Sequence, residues 1–391
     1  MKIVHLCLSC FYIDGATYQE NMLVKQHVTE GHDVLVLAST ENHGPDGKLV
    51  YSSSRTYVGS DNARVIRLPY SRWLPEKVMR KLRVHPGVYR HLEEFSPDIV
   101  IFHGLAGWEI GTVARYVRKH SEVVFYADSH EDHNNSARSF VSREILHKRF
   151  YGPVLRKAQS AVEKILCISL ETLDFVHSIY GVSQDRMAFF PLGGEIDDDS
   201  AYSAKRSKMR EALGVEPNQV LFLQSGKFDA LKKLPDTLEA FGNVHDPDFR
   251  LVIAGVLEEE TSAEIKARIA EDPRISFVGW VSAEELGLYL AAADVYLQPG
   301  SQSVTLQRSL CARCAIVVDM AKSHIPFIDN NAWQISETRS YERILKDISA
   351  NKKQLPLMHA RSLDVAKCKL DYAKMASALL QKGSFDDTLH P

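Results

Sequence analysis

No apolar run in this 391-residue chain approaches the roughly 20 residues needed to cross a bilayer. The opening MKIVHLCLSC reads as a strand with one lysine and lacks the apolar core and small-residue cleavage site of a secretory leader, so a cytoplasmic protein is expected. Six cysteines are too few for a disulfide framework in a chain of this length. They include two C-x-x-C pairs, Cys7/Cys10 and Cys311/Cys314, without zinc-knuckle context, and buried thiols are expected rather than a metal site. A net charge of −3 argues against wholesale nucleic-acid binding. The Walker A pattern G-x-x-x-x-G-K-[ST] is absent. After the first strand the chain reads CFYIDGATYQEN, with no G-x-G-x-x-G, which argues against a nicotinamide dehydrogenase.

What is present is a soluble, globular composition, 45% hydrophobic and 25% charged, in a chain long enough for two domains. KIVHLCLS, DVLVLAS, RVIRLP, DIVIFHG, EVVFYAD and ILCIS are short runs rich in Val and Ile with little polar alternation, as expected of strands buried on both faces. Helical segments separate them, for example ENMLVKQHVTEG with Gly31 as its stop. After FFPLGG the pattern pauses in the acidic stretch EIDDDSAYSAKRSK, then resumes with VLFLQSG, RLVIAG, ISFVG, DVYLQP and AIVVD. Two such series predict an α/β protein of two doubly wound, Rossmann-like domains, 1–195 and 196–365, followed by a helix and loose tail over 366–391. The triplet Asp197, Asp198 and Asp199 falls between the domains and reads as a solvated linker rather than a metal-binding D-x-D.

The turn QSGKFDALKK is unusually basic. Ligands of such sheets sit at the C-terminal ends of the strands, where helix N-termini attract anions. Gly226 lets a ligand approach the backbone, while Lys227 ends the strand and Lys232 enters the next helix from the same mouth, a pair of cations suited to a diphosphate.

The order of these segments resembles the two-domain, GT-B-fold retaining glycosyltransferases of group 1, a family with many bacterial polysaccharide and lipopolysaccharide enzymes. The resemblance rests on MKIVHL…DG…GHDVLVLAS with Gly15 in its loop, on PDIVIFHG and ADSHED, and on SGKFDALKK, which fits Gly-Arg/Lys-x4-Lys. RLVIAG, ISFVGWVSAEELGLYLAAADVYLQP and SLCARCAIVV follow in the family's order. It implies two domains facing a central cleft, an acceptor-side first domain, a donor-side second domain, and a terminal helix that returns to the first. Lys227 and Lys232 would clamp the diphosphate of a nucleotide sugar. His130 would contact the donor sugar near the reacting carbon, with His103, Glu131 and Asp132 as further sugar or acceptor contacts.

The chain departs from the family in one place. Where the family carries a spaced pair of glutamates it reads PGSQSVTLQRSLCARC, with Arg308 at the second position. A guanidinium has only donors and cannot accept from a ribose hydroxyl. Donor contacts are therefore expected from among Gln302, Ser303, Thr305 and Gln307 and from backbone N–H groups near Val304 and Thr305, with Arg308 near a phosphate or a carboxylate.

The segment 71–90 has six basic residues against Glu76 alone, interleaved with Trp73, Leu74, Val78, Met79 and Leu82, and could lie on an anionic membrane. The expected activity is metal-independent transfer of a sugar, from a UDP-sugar in preference to a GDP-sugar, to a glycan or lipid-linked acceptor in cell-surface polysaccharide synthesis. No cofactor and no nucleic-acid partner is expected. An epimerase- or phosphorylase-like enzyme and a degenerate, non-catalytic relative are the alternatives.

Overall fold

The computed structural model describes residues 1–44, 48–260, 262–300, 303–336 and 340–385. The chain forms two units, Leu192–Asp371 and a first unit that joins Met1–Pro191 to the residues from Tyr372 onward.

The strands of the first unit are β1 (Lys2–Cys7), β2 (Asp33–Ser39), β3 (Glu41–His43), β4 (Leu49–Tyr51), β5 (Thr56–Val58), β6 (Arg64–Leu68), β7 (Ile99–His103), β8 (Val124–Ser129), β9 (Ile165–Cys167) and β10 (Met187–Phe189). Eight of them make one sheet in the order β10-β9-β8-β7-β1-β2-β6-β5. It is parallel except for β5, which runs antiparallel to β6. β3 and β4 form a separate antiparallel hairpin. Successive residues of β1 enter different cores: Val4 and Leu6 pack in one cluster, Ile3 in a second. This two-sided burial explains why the strand sequences lack alternation.

The second unit holds β11 (Val220–Phe228), β12 (Phe249–Leu257), β13 (Ile275–Gly279), β14 (Val295–Gln298), β15 (Ala315–Val318) and β16 (Ala332–Gln334). They form an all-parallel sheet ordered β13-β12-β11-β14-β15-β16. In each unit the strand order reverses once beside the first strand, between β1 and β7 and between β11 and β14. Such a switch point opens a crevice at the strands' C-terminal ends. In the first unit it lies beyond Cys7 and His103, in the second beyond Gly226 and Gln298.

Two sequence expectations need correction. The acidic pause is not a linker: Asp198 accepts from the N–H groups of Ser200 and Ala201 and caps a helix over Asp199–Ala212. Arg206 and Arg210 of that helix hold Asp294, and Asp197 pairs with Lys205 at 2.7 Å. The helix is held by guanidinium clamps rather than by an apolar stripe, so its sequence carries little periodic signal. The basic segment is also not one amphipathic helix. It breaks at Arg83 and Gly87, both with positive φ, into the helices Glu76–Leu82 and Val88–Phe95. Met79 is buried in the core, whereas Trp73, Leu74 and Val78 are exposed.

Candidate active site

In the second unit β11 and β12 run in register to Gly226 and Gly255, which face each other with φ of 138° and 151°. A Cβ on Gly255 would lie 1.8 Å from the Gly226 carbonyl oxygen, and one on Gly226 would lie 3.2 Å from Cε of Lys232. The glycines therefore let the two strand ends close up and let the lysine stem lie across them. Gly255→Ala is expected to destabilise this unit by at least the roughly 1–3 kcal/mol of a strained backbone position, read as a lower melting transition in calorimetry.

Lys232 does not enter the helix directly. Asp229 caps a single tight turn, Ala230–Lys232, by accepting from the Lys232 N–H at 3.2 Å, and Lys233 takes a left-handed conformation before the helix Leu234–Gly242. The Gln224 side chain donates to the Lys232 carbonyl at 2.8 Å and fixes the turn from below. Burial pushes the ammonium of Lys232 below the ordinary lysine value, opposed by Asp229. Yet no hydrogen bond or ion pair with a described residue engages it. A half-buried cation without a partner is costly unless a ligand supplies the counter-charge. Lys227, on the same strand end, is exposed. Gly300, beyond β14, packs so closely on this turn that a Cβ there would lie 2.3 Å from the Leu231 carbonyl oxygen.

The helix Val304–Cys311 starts at this switch point. Ser303 caps it by accepting from the Thr305 N–H at 3.2 Å, and the Leu306 N–H goes to the Ser303 carbonyl at 3.0 Å. Of the expected backbone donors, then, Thr305 is occupied, and the Val304 N–H has no acceptor among the described residues. The Ser303 and Thr305 hydroxyls gather at the buried Tyr296 hydroxyl, which also meets Ser225 at 3.2 Å, and so brace the helix start from within. Arg308 pairs with no carboxylate among the described residues and donates to the Ala283 carbonyl at 2.8 Å. Gln302 lies outside the described residues.

The first unit has a pocket of about 1160 Å³ at its own switch point, lined by His130, Glu131, Glu20, Arg83, His147 and Tyr151 among others. Glu131 is raised above the usual carboxylate range by burial and accepts from the Tyr180 hydroxyl at 2.8 Å. His147, lowered to about 4 by burial and by Arg83, bonds the same hydroxyl through Nδ1. Asp132 does not face the pocket: its Oδ1 accepts from the N–H groups of Asn134 and Asn135 and shapes the loop. Gly15 occupies a left-handed turn (φ 75°) in the loop after β1, outside the pocket lining.

His103, expected to contact a ligand, is only 1% exposed and cannot do so. It belongs to a buried chain. Its Nδ1 lies 2.5 Å from Asp128, its Nε2 2.9 Å from His5 Nδ1, His5 Nε2 lies 3.0 Å from His27 Nδ1, and His27 Nε2 lies 3.1 Å from the Ala376 carbonyl oxygen. A carbonyl only accepts, so His27 must carry its proton on Nε2 and present Nδ1 as acceptor. His5 then donates from Nε2 and accepts on Nδ1, and His103 must donate from Nε2. With Nδ1 also donating to Asp128, His103 is an imidazolium paired with a carboxylate. The environment agrees: burial pushes His103 down, but the charge of Asp128 offsets this and holds it at about 9. Asp128, pushed up by burial, is held low by the His103 charge and the Gly104 N–H. His5 and His27 are lowered by burial, His27 to about 4. The second oxygen of Asp128 lies 3.8 Å from His130 Nε2 at the pocket wall.

Asp128, His5, His27, Glu20 and Arg83 were not singled out from sequence. A histidine inside the apolar run KIVHLC was the one available signal, because a buried imidazole needs partners. Both C-x-x-C pairs are free thiols, and among the described residues no group of three or more His, Cys, Asp or Glu is placed to hold a metal ion.

The comparisons with known proteins fit this geometry. Residues 13–197 match the model of Glycosyltransferase Family 4, and residues 205–317 match Glycosyl transferases group 1. The chain belongs to the two-domain glycosyltransferases of group 1, on the GT-B fold. Among solved structures it is similar to HepE of Anabaena in complex with UDP (TM-score 0.62, 13% identity, covering 96% of this chain and 98% of that one). It is likewise similar to sucrose-phosphate synthase of Thermosynechococcus elongatus (0.62, 13%, 96% and 96%). A third likeness is WaaG, a glycosyltransferase involved in lipopolysaccharide biosynthesis (0.61, 15%, 96% and 98%). A comparison by sequence with curated proteins gave no match.

Proposed function

We propose that this glycosyltransferase moves a sugar from a nucleotide diphosphate sugar, UDP in preference to GDP, to a glycan or lipid-linked acceptor in cell-surface polysaccharide synthesis, with retention at the anomeric carbon. The observation that carries the donor half is the ammonium of Lys232, unpaired among the described residues and set against Gly226, at the same switch point as the helix Val304–Cys311. Lys232, Lys227 and the Val304 N–H oppose the charge that develops on the departing diphosphate, and preorganised donors of this kind lower the barrier because they need no reorganisation. Having been crystallised with UDP, HepE lends the UDP preference its support. The pocket beside His130 and Glu131 receives the acceptor, and His130 contacts the transferred sugar.

The lysines supply the charge that a divalent ion supplies elsewhere, so transfer is expected to persist in EDTA. Peripheral association with the inner face of a membrane belongs to this reading and is supported by Trp73, Leu74 and Val78, which are exposed on a basic segment. A thermal-shift screen against UDP, GDP, ADP and CMP and their sugars tests the donor reading, since a ligand selective for the native state raises its melting point. UDP and a UDP-sugar are expected to give the largest shifts. A screen in which no nucleotide shifts the protein would favour the non-catalytic relative.

A further inference from the structure

The pocket of the first unit contains an arginine that pairs with no carboxylate among the described residues. Arg83 follows the helix Glu76–Leu82 in a left-handed conformation (φ 51°). Its Nη1 donates to the main-chain carbonyls of Ala106, at 3.0 Å, and Ser9. Carbonyls orient a guanidinium but leave its charge intact, and Arg83 has no carboxylate partner among the described residues. It is half-buried and lines the pocket. Its field reaches across the site, opposing the protonation of His147 and favouring the ionised form of Glu131.

Lys81 and Arg138 line the same pocket, exposed and likewise without a carboxylate partner. Arg80 differs, being committed to Glu76 at 2.5 Å and stacked over the Tyr51 ring. The lining also carries three carboxylates, none of them paired with Arg83, Lys81 or Arg138 among the described residues. Two are Glu20 and Glu131, the latter accepting from the Tyr180 hydroxyl. Glu41 is the third carboxylate of the lining.

We infer that this pocket binds an acceptor carrying a phosphate ester, held by Arg83 together with Lys81 and Arg138. The inference rests on the proposed reading of the pocket as the acceptor site. A planar guanidinium fixed from behind by carbonyls presents its remaining donors in the fork that suits a phosphate. The pocket volume accommodates a sugar phosphate. Trp73 and Leu74, exposed a few residues before Lys81, would meet the tail if the ester belongs to a lipid.

The test uses the full chain with the second unit saturated by UDP, so that a phosphate cannot occupy the Lys232 site. Glucose 1-phosphate, glucuronate and glucose are titrated calorimetrically. Glucose 1-phosphate is expected to bind and glucose not. Arg83→Gln weakens the phosphate ester about tenfold or more, the loss of a charge-assisted contact, whereas Arg83→Lys restores part of it. Lys232→Ala leaves this affinity unchanged while weakening UDP. An unchanged melting transition of the first unit shows that Arg83→Gln is folded; should it fail to fold, the Lys81→Gln/Arg138→Gln double variant, at side chains without hydrogen bonds to described residues, is expected to show the same loss. A second arm compares phosphatidylcholine vesicles with and without a polyprenyl phosphate. Arg83-dependent sedimentation assigns the ester to a lipid, and binding of the soluble ester alone assigns it to a free sugar. Glucuronate binding as tightly as glucose 1-phosphate, unchanged affinity in Arg83→Gln, or binding in neither arm overturns the inference. If UDP binds and the ester does not, the inference alone falls; if UDP fails to bind, the donor reading falls with it.

Discussion

UDP binding to Lys232→Ala is expected to weaken about 10- to 100-fold, corresponding to roughly 1.5–3 kcal/mol for a charge-assisted contact. The reason lies in how the side chain is held. The capped turn Ala230–Lys232, the bond from Gln224 and the bare surface of Gly226 fix the lysine stem before any ligand arrives, so little side-chain entropy is lost on binding. Its ammonium is already partly desolvated and has no partner among the described residues, so the diphosphate meets a cation whose water has been partly removed. Lys227→Ala is expected to cost less, because that side chain is exposed and its charge is screened. Calorimetric titration of UDP into both variants checks this. Equal affinities in wild type and Lys232→Ala would remove the diphosphate from this strand end.

Asp128→Asn is expected to lower the melting temperature of the first unit on the order of 10 °C at pH 7. Breaking a buried ion pair leaves an uncompensated charge and costs about 3–5 kcal/mol, and each kcal/mol is worth about 2–4 °C in a domain of this size. The pH dependence follows from the direction of the shifts. His103 is held at about 9 against an ordinary 6.5, so its stabilisation is complete below about pH 6.5 and is lost as the pH rises through about 9. His5 and His27 are lowered, so their contribution holds above about pH 6.5 and is lost as the pH falls. The gap between wild type and Asp128→Asn is therefore full at about pH 6.5 and narrows as the pH rises through about 9. A gap that stays constant from pH 6 to 10 would show that the pair is neutral. His103→Asn also breaks the pair, but strands the carboxylate instead.

The two sheets were legible in the sequence because strands buried on both faces leave contiguous Val- and Ile-rich runs such as DVLVLAS and RLVIAG. The hairpin β3–β4 and the edge strands β5 and β16 were not, being only three residues each and not fully buried, and hence carrying little pattern. The basic turn at 226–233 could be read because its residues are neighbours in the chain. The histidine chain could not, since its links join residues 98, 22 and 349 positions apart and no local spacing announces them. For the same reason the role given to His103 failed: its strand position was readable, but not the partners that bury the side chain away from a ligand.

The terminal segment gives the fold an unusual order of completion. Tyr372, Met375, Ala376, Leu379 and Phe385 close a core cluster with Ile3, Met22, Leu23, Ile99 and Tyr126, and Ala376 supplies the acceptor at the end of the histidine chain. During synthesis the second unit has its whole sheet available once β16 has emerged, while the first unit, although translated earlier, still has one core face and one imidazole unsatisfied. Domains of multidomain chains generally finish in N-to-C order. Here the second unit's residues emerge first into a complete fold, and the first unit, with the charge state of His103, is settled only when the stretch from Tyr372 to Phe385 packs onto it.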